Sequence, residues 1–209
     1  MILAAGESSR MGSDKALLVW PPPSSDAAAM GSLRRTFLST TIQALNAYND
    51  MVIVVVGKNE PNLAPVIYAT GASLVRNPAP EQGQFSSLQV GLREVLNRGR
   101  DAAMVTLVDR PSVKAETLES LRSTFEAAAD AIWAVVPEYK GKHGHPIIVG
   151  REMIEVFLRA PATASARDIQ RQYQEHIEYA SVDDAFVAWN VDTPQDYQML
   201  LSQNSTRPK

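Results

Sequence analysis

Sixteen residues near the start of the chain, Leu3-Ala4-Ala5-Gly6-Glu7-Ser8-Ser9-Arg10-Met11-Gly12-Ser13-Asp14-Lys15-Ala16-Leu17-Leu18, combine two glycines, small side chains and two hydroxyls between an arginine and a lysine. Small residues let backbone N–H groups approach phosphate oxygens closely, and a guanidinium with an ammonium neutralises their charge, so the chemistry on offer is polyphosphate binding. The spacing is that of neither common phosphate loop. Gly6 and Gly12 lie six apart and Lys15 follows three later, whereas a P-loop needs Gly-x-x-x-x-Gly-Lys-Ser/Thr and a dinucleotide fold Gly-x-Gly-x-x-Gly. Further on, Asp109 ends an apolar run and is followed by Arg110-Pro111, and Asn190-Val191-Asp192-Thr193-Pro194 presents two more oxygen-bearing side chains. Either could also be read as a helix cap. His143 and His145 form a His-x-His pair, but two imidazoles without a third nearby ligand make a weak metal site. No Ser/His/Asp or paired-carboxylate constellation is evident.

These groups need a scaffold, and the hydropathy pattern supplies one. Continuous apolar runs at 51–57 and 102–108 read as strands buried on both faces, as in parallel sheets. Further strands are expected at 1–3, 72–76, 131–137, 177–182 and 186–191, the last putting Asn190 and Asp192 on one strand face. Helical spacing covers 34–47, 61–69, about 86–98 (capped by Ser86 or Ser87), 114–129, 151–158, 166–176 and a segment opening at Pro194. This is an α/β chain in which helices alternate with strands. An acid at the carboxyl end of a central strand lies where open α/β sheets bind ligands. Pro21 to Leu33 reads as an inserted surface loop, 1–202 as one domain and 203–209 as a disordered tail.

Bulk properties narrow the partners. With 209 residues, 45% hydrophobic content, a net charge of −3 and no cysteine, the chain fits a single globular domain with a small anionic ligand. It does not fit a nucleic-acid binder, a disulfide frame or a thiolate metal site. No apolar run reaches membrane-spanning length and no signal segment is evident, so the cytoplasm is the expected compartment. No apolar stripe beyond core packing suggests self-association, and a monomer is expected.

The pattern Leu-Ala-Ala-Gly-x-Ser-x-Arg-Met-Gly-x-x-Lys-x-Leu-Leu resembles the signature loop of the MobA-like nucleotidyltransferases, in particular the molybdenum cofactor cytidylyltransferase branch, and the likeness extends from Leu3 to Tyr197. It implies a three-layer, Rossmann-like, mostly parallel sheet with helices on both faces, of the nucleotide-diphospho-sugar transferase type. It further implies that Leu3, Ala4, Ala5, Gly6, Ser8, Ser9, Arg10 and Lys15 hold a nucleoside triphosphate, together with Asn77, Gly83, Ser86 and Ser87 of the Asn77–Leu88 segment. By the same resemblance, Arg10, Lys15 and Asp109 are catalytic, magnesium is the cofactor, and Asp109, Asn190 and Asp192 are its ligands. Arg110, Gly144, His145 and Pro146 would meet the acceptor, with His145 donating to its phosphate. In that family Leu-Ala-Ala-Gly goes with CTP, so Ala5 implies CMP transfer, and the implied acceptor is molybdopterin, with a molybdoenzyme or its chaperone as onward partner. Gln84, Phe85, Arg110 and an Ala/Pro/Ser segment at 160–165, where relatives carry a glycine-rich acceptor loop, depart from the pattern. Transfer to another phosphorylated acceptor, a nicotine-blue-type NAD(P)H reductase and a non-catalytic cofactor carrier are the alternatives.

Overall fold

In a computed structural model the chain is described at residues 1–6, 11–12, 14–21 and 35–204. Ser8, Ser9 and Arg10, nearly all of the 21–33 insertion, and residues 205–209 of the tail lie outside that set.

Among the described residues eight strands form one sheet: β1 (Ile2–Leu3), β2 (Ile53–Val56), β3 (Ser73–Arg76), β4 (Ala102–Leu107), β5 (Ala134–Tyr139), β6 (Lys142–His143), β7 (Ile147–Gly150) and β8 (Ile177–Ser181). β3, β2, β1 and β4 lie side by side in parallel; β7 follows antiparallel, and β5 joins β7 to a parallel β8. Because the chain steps outward from β1 to β2 on one side and to β4 on the other, the crevice at their carboxyl ends is the topological switch point. Period-two alternation divides each strand between two cores. Met1, Leu3, Ile53, Val55 and Val105 face α3 (Gln84–Asn97) and α5 (Arg151–Arg159). Ile2, Val54, Val56 and Met104 face α1 (Phe37–Asn46), α2 (Glu60–Ala69) and α4 (Ala115–Ala127). Two further helices, α6 (Ala166–Gln172) and α7 (Pro194–Asn204), complete the set among the described residues. α7 runs on through 203–204, past the expected start of the tail.

The expected strand at 186–191 does not form. The buried Asp184 carboxylate accepts from Phe186 N at 3.1 Å, closing a 3-10 turn at Ala185–Ala188, and the same carboxylate accepts from Lys114 N and Thr117 Oγ1 at the start of α4. A short polar side chain that satisfies local N–H groups competes with strand pairing. The fifth strand begins at Ala134 rather than Ala131, since Ile132 N closes a turn on Ala129 O. Nor does Ser86 or Ser87 cap α3. Its N-cap is Gly83, with φ of +97°, a conformation open chiefly to glycine.

β6 and β7 are one antiparallel partner of β5, interrupted. Glu138 opposes His143 and Val135 opposes Ile148, so three steps on β5 face five on the other strand. Gly144-His145-Pro146 is therefore a bulge with two extra residues, a device that re-aims a side chain. Gly144 is required at this spot because any Cβ would overlap the Val187 carbonyl.

Candidate functional site

The switch-point crevice gathers groups from both ends of the chain. β1 ends in Ala4, whose N–H donates to Val55 O at 2.8 Å, and Asn59 latches the loop that follows: its Nδ2 donates to Ala4 O at 2.9 Å and to Asp14 Oδ2 at 2.8 Å. Asp14 in turn accepts from Ala16 N at 3.1 Å and caps the 3-10 turn Lys15–Leu17. That turn carries Lys15 inward until it is only 8% exposed. Its Nζ lies 2.9 Å from Asp192 Oδ1 and 3.4 Å from Asp109 Oδ2. Asp109 sits just beyond β4, and its carbonyl accepts from Val191 N at 3.0 Å, which sets Asp192 beside it. The backbone N–H groups of Asp192 and Thr193 both donate to Asp196 Oδ2, and Asp196 N donates back to Thr193 Oγ1, a reciprocal cap that fixes the start of α7. These bonds hold the Asp196 carboxyl below the usual carboxylate range, those from Thr193 contributing most. Asn190 is exposed and donates its amide to Asp192 Oδ2.

An aromatic cluster braces this corner. Trp20 stacks on Phe37 with centroids 5.8 Å apart and meets Phe186 edge-on, while Tyr197 OH donates to Val19 O at 2.8 Å. Val19 bridges Thr36, which brings together the two flanks of the expected 21–33 insertion. Its flanks are thereby locked to the segment that carries Asp192.

Along the other rim of the crevice, Asn77 is buried and spends its side chain on the loop itself: Nδ2 donates to Ser86 Oγ and Ser87 Oγ, each at 2.9 Å, and Oδ1 accepts from Ala79 N. Ser86 donates to Gly83 O at 2.8 Å. These three residues build the loop, and Gly83 with Gln84 presents its surface to a cleft of ≈ 1070 Å³. Phe85 packs edge-on against Phe157 at 5.9 Å and forms part of the cleft floor.

Arg110, Gly144 and His145 line the same cleft; Pro146 does not, its ring facing the opposite side of the sheet beside Thr41 and Ser112. Arg110 Nη1 donates to Val187 O at 2.9 Å and leans on Trp189 O, so the residue that departs from the family pattern ties the 3-10 turn to the site. Burial pushes the Arg110 guanidinium down from its ordinary value, and Asp109 and Asp192 hold it up. His145 corrects an expectation. Burial, with Arg110 adding repulsion, lowers its imidazole to about 4, so the ring is neutral near pH 7. Nδ1 lies 3.3 Å from Val105 O, and a carbonyl can only accept, so the proton sits on Nδ1 and Nε2 offers a lone pair. In this state Nε2 can accept a hydrogen bond but cannot donate one.

The donor set fits a hard divalent cation. Asp109 Oδ1 is buried without a hydrogen-bond partner, and Asp192 with Asn190 supplies further oxygens, a set in which magnesium needs only one or two carboxylates beside substrate phosphate oxygens. Among the described residues no cluster of three or more His, Cys, Asp or Glu is assembled for a metal. Nothing local in the sequence marks Asn59 or Asp14 as part of the site; for Asp196 the signal is Thr193-x-x-Asp196, a hydroxyl and an acid at capping-box spacing.

A lysine between two acids at the switch point and a large cleft beyond them sit on an α/β sheet of the nucleotide-diphospho-sugar transferase fold. Residues 1–177 match the MobA-like NTP transferase domain. The chain belongs to that family and is a nucleotidyltransferase. It is 25% identical over 199 residues to the molybdenum cofactor cytidylyltransferase of Escherichia coli, covering 94% of this chain and 92% of that protein. It also superimposes on the crystal structure of Rv0371c from Mycobacterium tuberculosis with a TM-score of 0.77 and 26% identity, over 96% of this chain and 95% of the other. A structure of Rv0371c in complex with manganese gives a TM-score of 0.72 at 24% identity, over 96% of both chains. Among the described residues no helix is long and apolar enough to cross a membrane.

Proposed function

We propose that the chain transfers CMP from CTP to the phosphate of molybdopterin and releases pyrophosphate. The observation that carries this reading is the Lys15 ammonium held between Asp109 and Asp192 at the switch point. It joins a phosphate-binding cation to two acids that can share a divalent metal. An oxygen of the acceptor phosphate forms a bond to the α-phosphorus of CTP, and the bond from that phosphorus to the pyrophosphate oxygen breaks. The attacking phosphate is already ionised, so no strong general base is required, in keeping with the neutral His145. Lys15 and Arg10 offset charge on the triphosphate, Arg110 meets the acceptor, and Leu3 to Gly6 with Ser8 and Ser9 supply backbone and hydroxyl donors. Asn77, Ser86 and Ser87 shape the loop at whose tip Gly83 meets the nucleotide, and Gly144 with His145 faces the acceptor. A divalent cation, magnesium by its preference for carboxylate and phosphate oxygens, would be held by Asp109, Asp192 and Asn190 and would supply charge neutralisation at the reacting phosphates. The structural relative crystallised with manganese supports a divalent requirement. Ala5 and the similarity to the E. coli cytidylyltransferase favour cytidine.

The test is pyrophosphate release with magnesium and molybdopterin, run in parallel with CTP, GTP, ATP and UTP. Release with CTP alone is expected. Release with GTP in its place would assign a guanylyltransferase, and CTP binding without release would move the acceptor to another phosphorylated compound. No binding of any nucleotide would refute the transferase reading.

A further inference from the structure

The cleft beyond the acids has a one-sided charge. Four cationic residues line it, Arg110, Lys142, Arg167 and Arg171, and no Asp or Glu does among the described residues, although the chain as a whole carries 23 acids against 20 bases. Arg110 accounts for the inner end, beside Asp109. The other three stand on the outer wall: Lys142 on β6, and Arg167 and Arg171 four residues apart on α6 and hence on one helix face. Among the described residues neither arginine is committed to a strong partner. Arg171 approaches Asp168 only at 3.6 Å with both side chains exposed, an arrangement worth little. Between inner and outer cations the floor is apolar, built by Phe85, Leu88, Val105, Leu107 and Val136. On the rim, His143 stacks on Tyr179 with centroids 4.1 Å apart and planes 14° from parallel, leaving Tyr179 43% exposed as a flat platform.

We infer that the outer wall is a second anion site, in which Arg167, Arg171 and Lys142 bind an anionic group of the acceptor distant from the phosphate that reacts. The acceptor then carries a second anionic group besides the phosphate that reacts. Guanidinium groups suit this task because they meet oxyanions through paired, charge-assisted donors. Arg167 and Arg171 lie on the helix that directly follows the Ala/Pro/Ser segment at 160–165. The identification of the ligand as acceptor rests on the transfer reading; the charge pattern does not.

Two probes separate the two. Naphthalene-2,6-disulfonate and naphthalene-2-sulfonate, followed by their own fluorescence, report the charge preference of the cleft without reference to the reaction. The disulfonate should bind about tenfold tighter, the ratio for one additional charge-assisted contact, and R167Q/R171Q should abolish that advantage. R122Q, an exposed arginine on α4 paired with Glu126, should leave it intact. Equal binding of the two probes to the wild type, or an advantage that survives in R167Q/R171Q, would overturn the inference. Molybdopterin titration on the same proteins then tests the reading. Loss of its binding in R167Q/R171Q with CTP binding unchanged is expected; no binding to the wild type, with the disulfonate preference intact, would refute molybdopterin as acceptor and leave the anion site standing.

Discussion

Replacing Lys15 by methionine probes the centre of the site. In the wild type one ammonium lies 2.9 Å from Asp192 and 3.4 Å from Asp109, at an exposure of 8% for the lysine. K15M keeps the volume and removes the charge, leaving two carboxylates face to face. Deleting one member of a buried ion pair costs about 3–5 kcal/mol. Here the acid side chains are 23% and 37% exposed, and water screening reduces the loss to about 1–3 kcal/mol. For a chain of this size that corresponds to a drop in Tm of about 2–4 °C per kcal/mol. The assay is urea unfolding with and without manganese, in the absence of nucleotide. The ion meets no competing ammonium in K15M, so manganese should restore most of the lost stability there and add less to the wild type; at a hundredfold excess over Kd the gain is about 2.7 kcal/mol. Undiminished stability of K15M in metal-free buffer would show that the two acids do not depend on the lysine. An equal manganese effect on both proteins would show that lysine and metal do not compete for them.

Two further perturbations test the cleft wall. G144A places a methyl group against the Val187 carbonyl, a backbone atom that cannot rotate away, so a loss of about 1–3 kcal/mol and a lower melting temperature by circular dichroism are expected; an unchanged midpoint would deny the close approach. His145 is neutral in the folded state down to about 4 but takes a proton near 6.5 when unfolded, so the unfolded state binds more protons between those values and stability falls as pH drops from 6.5 toward 4. That slope, up to about 1.4 kcal/mol per pH unit from this group, should flatten in H145Q when urea midpoints are followed across the window, and an identical slope in the variant would place the titration elsewhere.

The central strands and the helices that cover them were legible because burial on both sides of a parallel sheet leaves a continuous apolar run, as at 51–57 and 102–108, and one-sided burial leaves helical spacing, as in α1. The candidate phosphate loop and the two acid-bearing segments stand out in the sequence for a different reason: several residue types occur there at fixed spacing. What escaped the sequence was set by partners far along the chain. Phe186 to Val191 carries apolar residues enough for a strand, but Asp184 gives its N–H groups another acceptor and Val187 O is claimed by both His145 N and Arg110. The bulge at Gly144-His145-Pro146 is equally invisible locally, because it is defined by a count of residues on the opposing strand.

These long-range bonds also explain why the candidate site spans nearly the whole chain. Lys15 reaches Asp192 across 177 positions, and Val191 N reaches Asp109 O across the crevice. Each contact fixes one acid relative to the loop only once α7 is seated against Trp20 and Phe37 through Tyr197. The chemical groups can be recognised singly from the order of residues. Their assembly depends on the aromatic corner, where no side chain could take part in phosphate transfer, and so the residues that position the acids carry no chemical signature of their own.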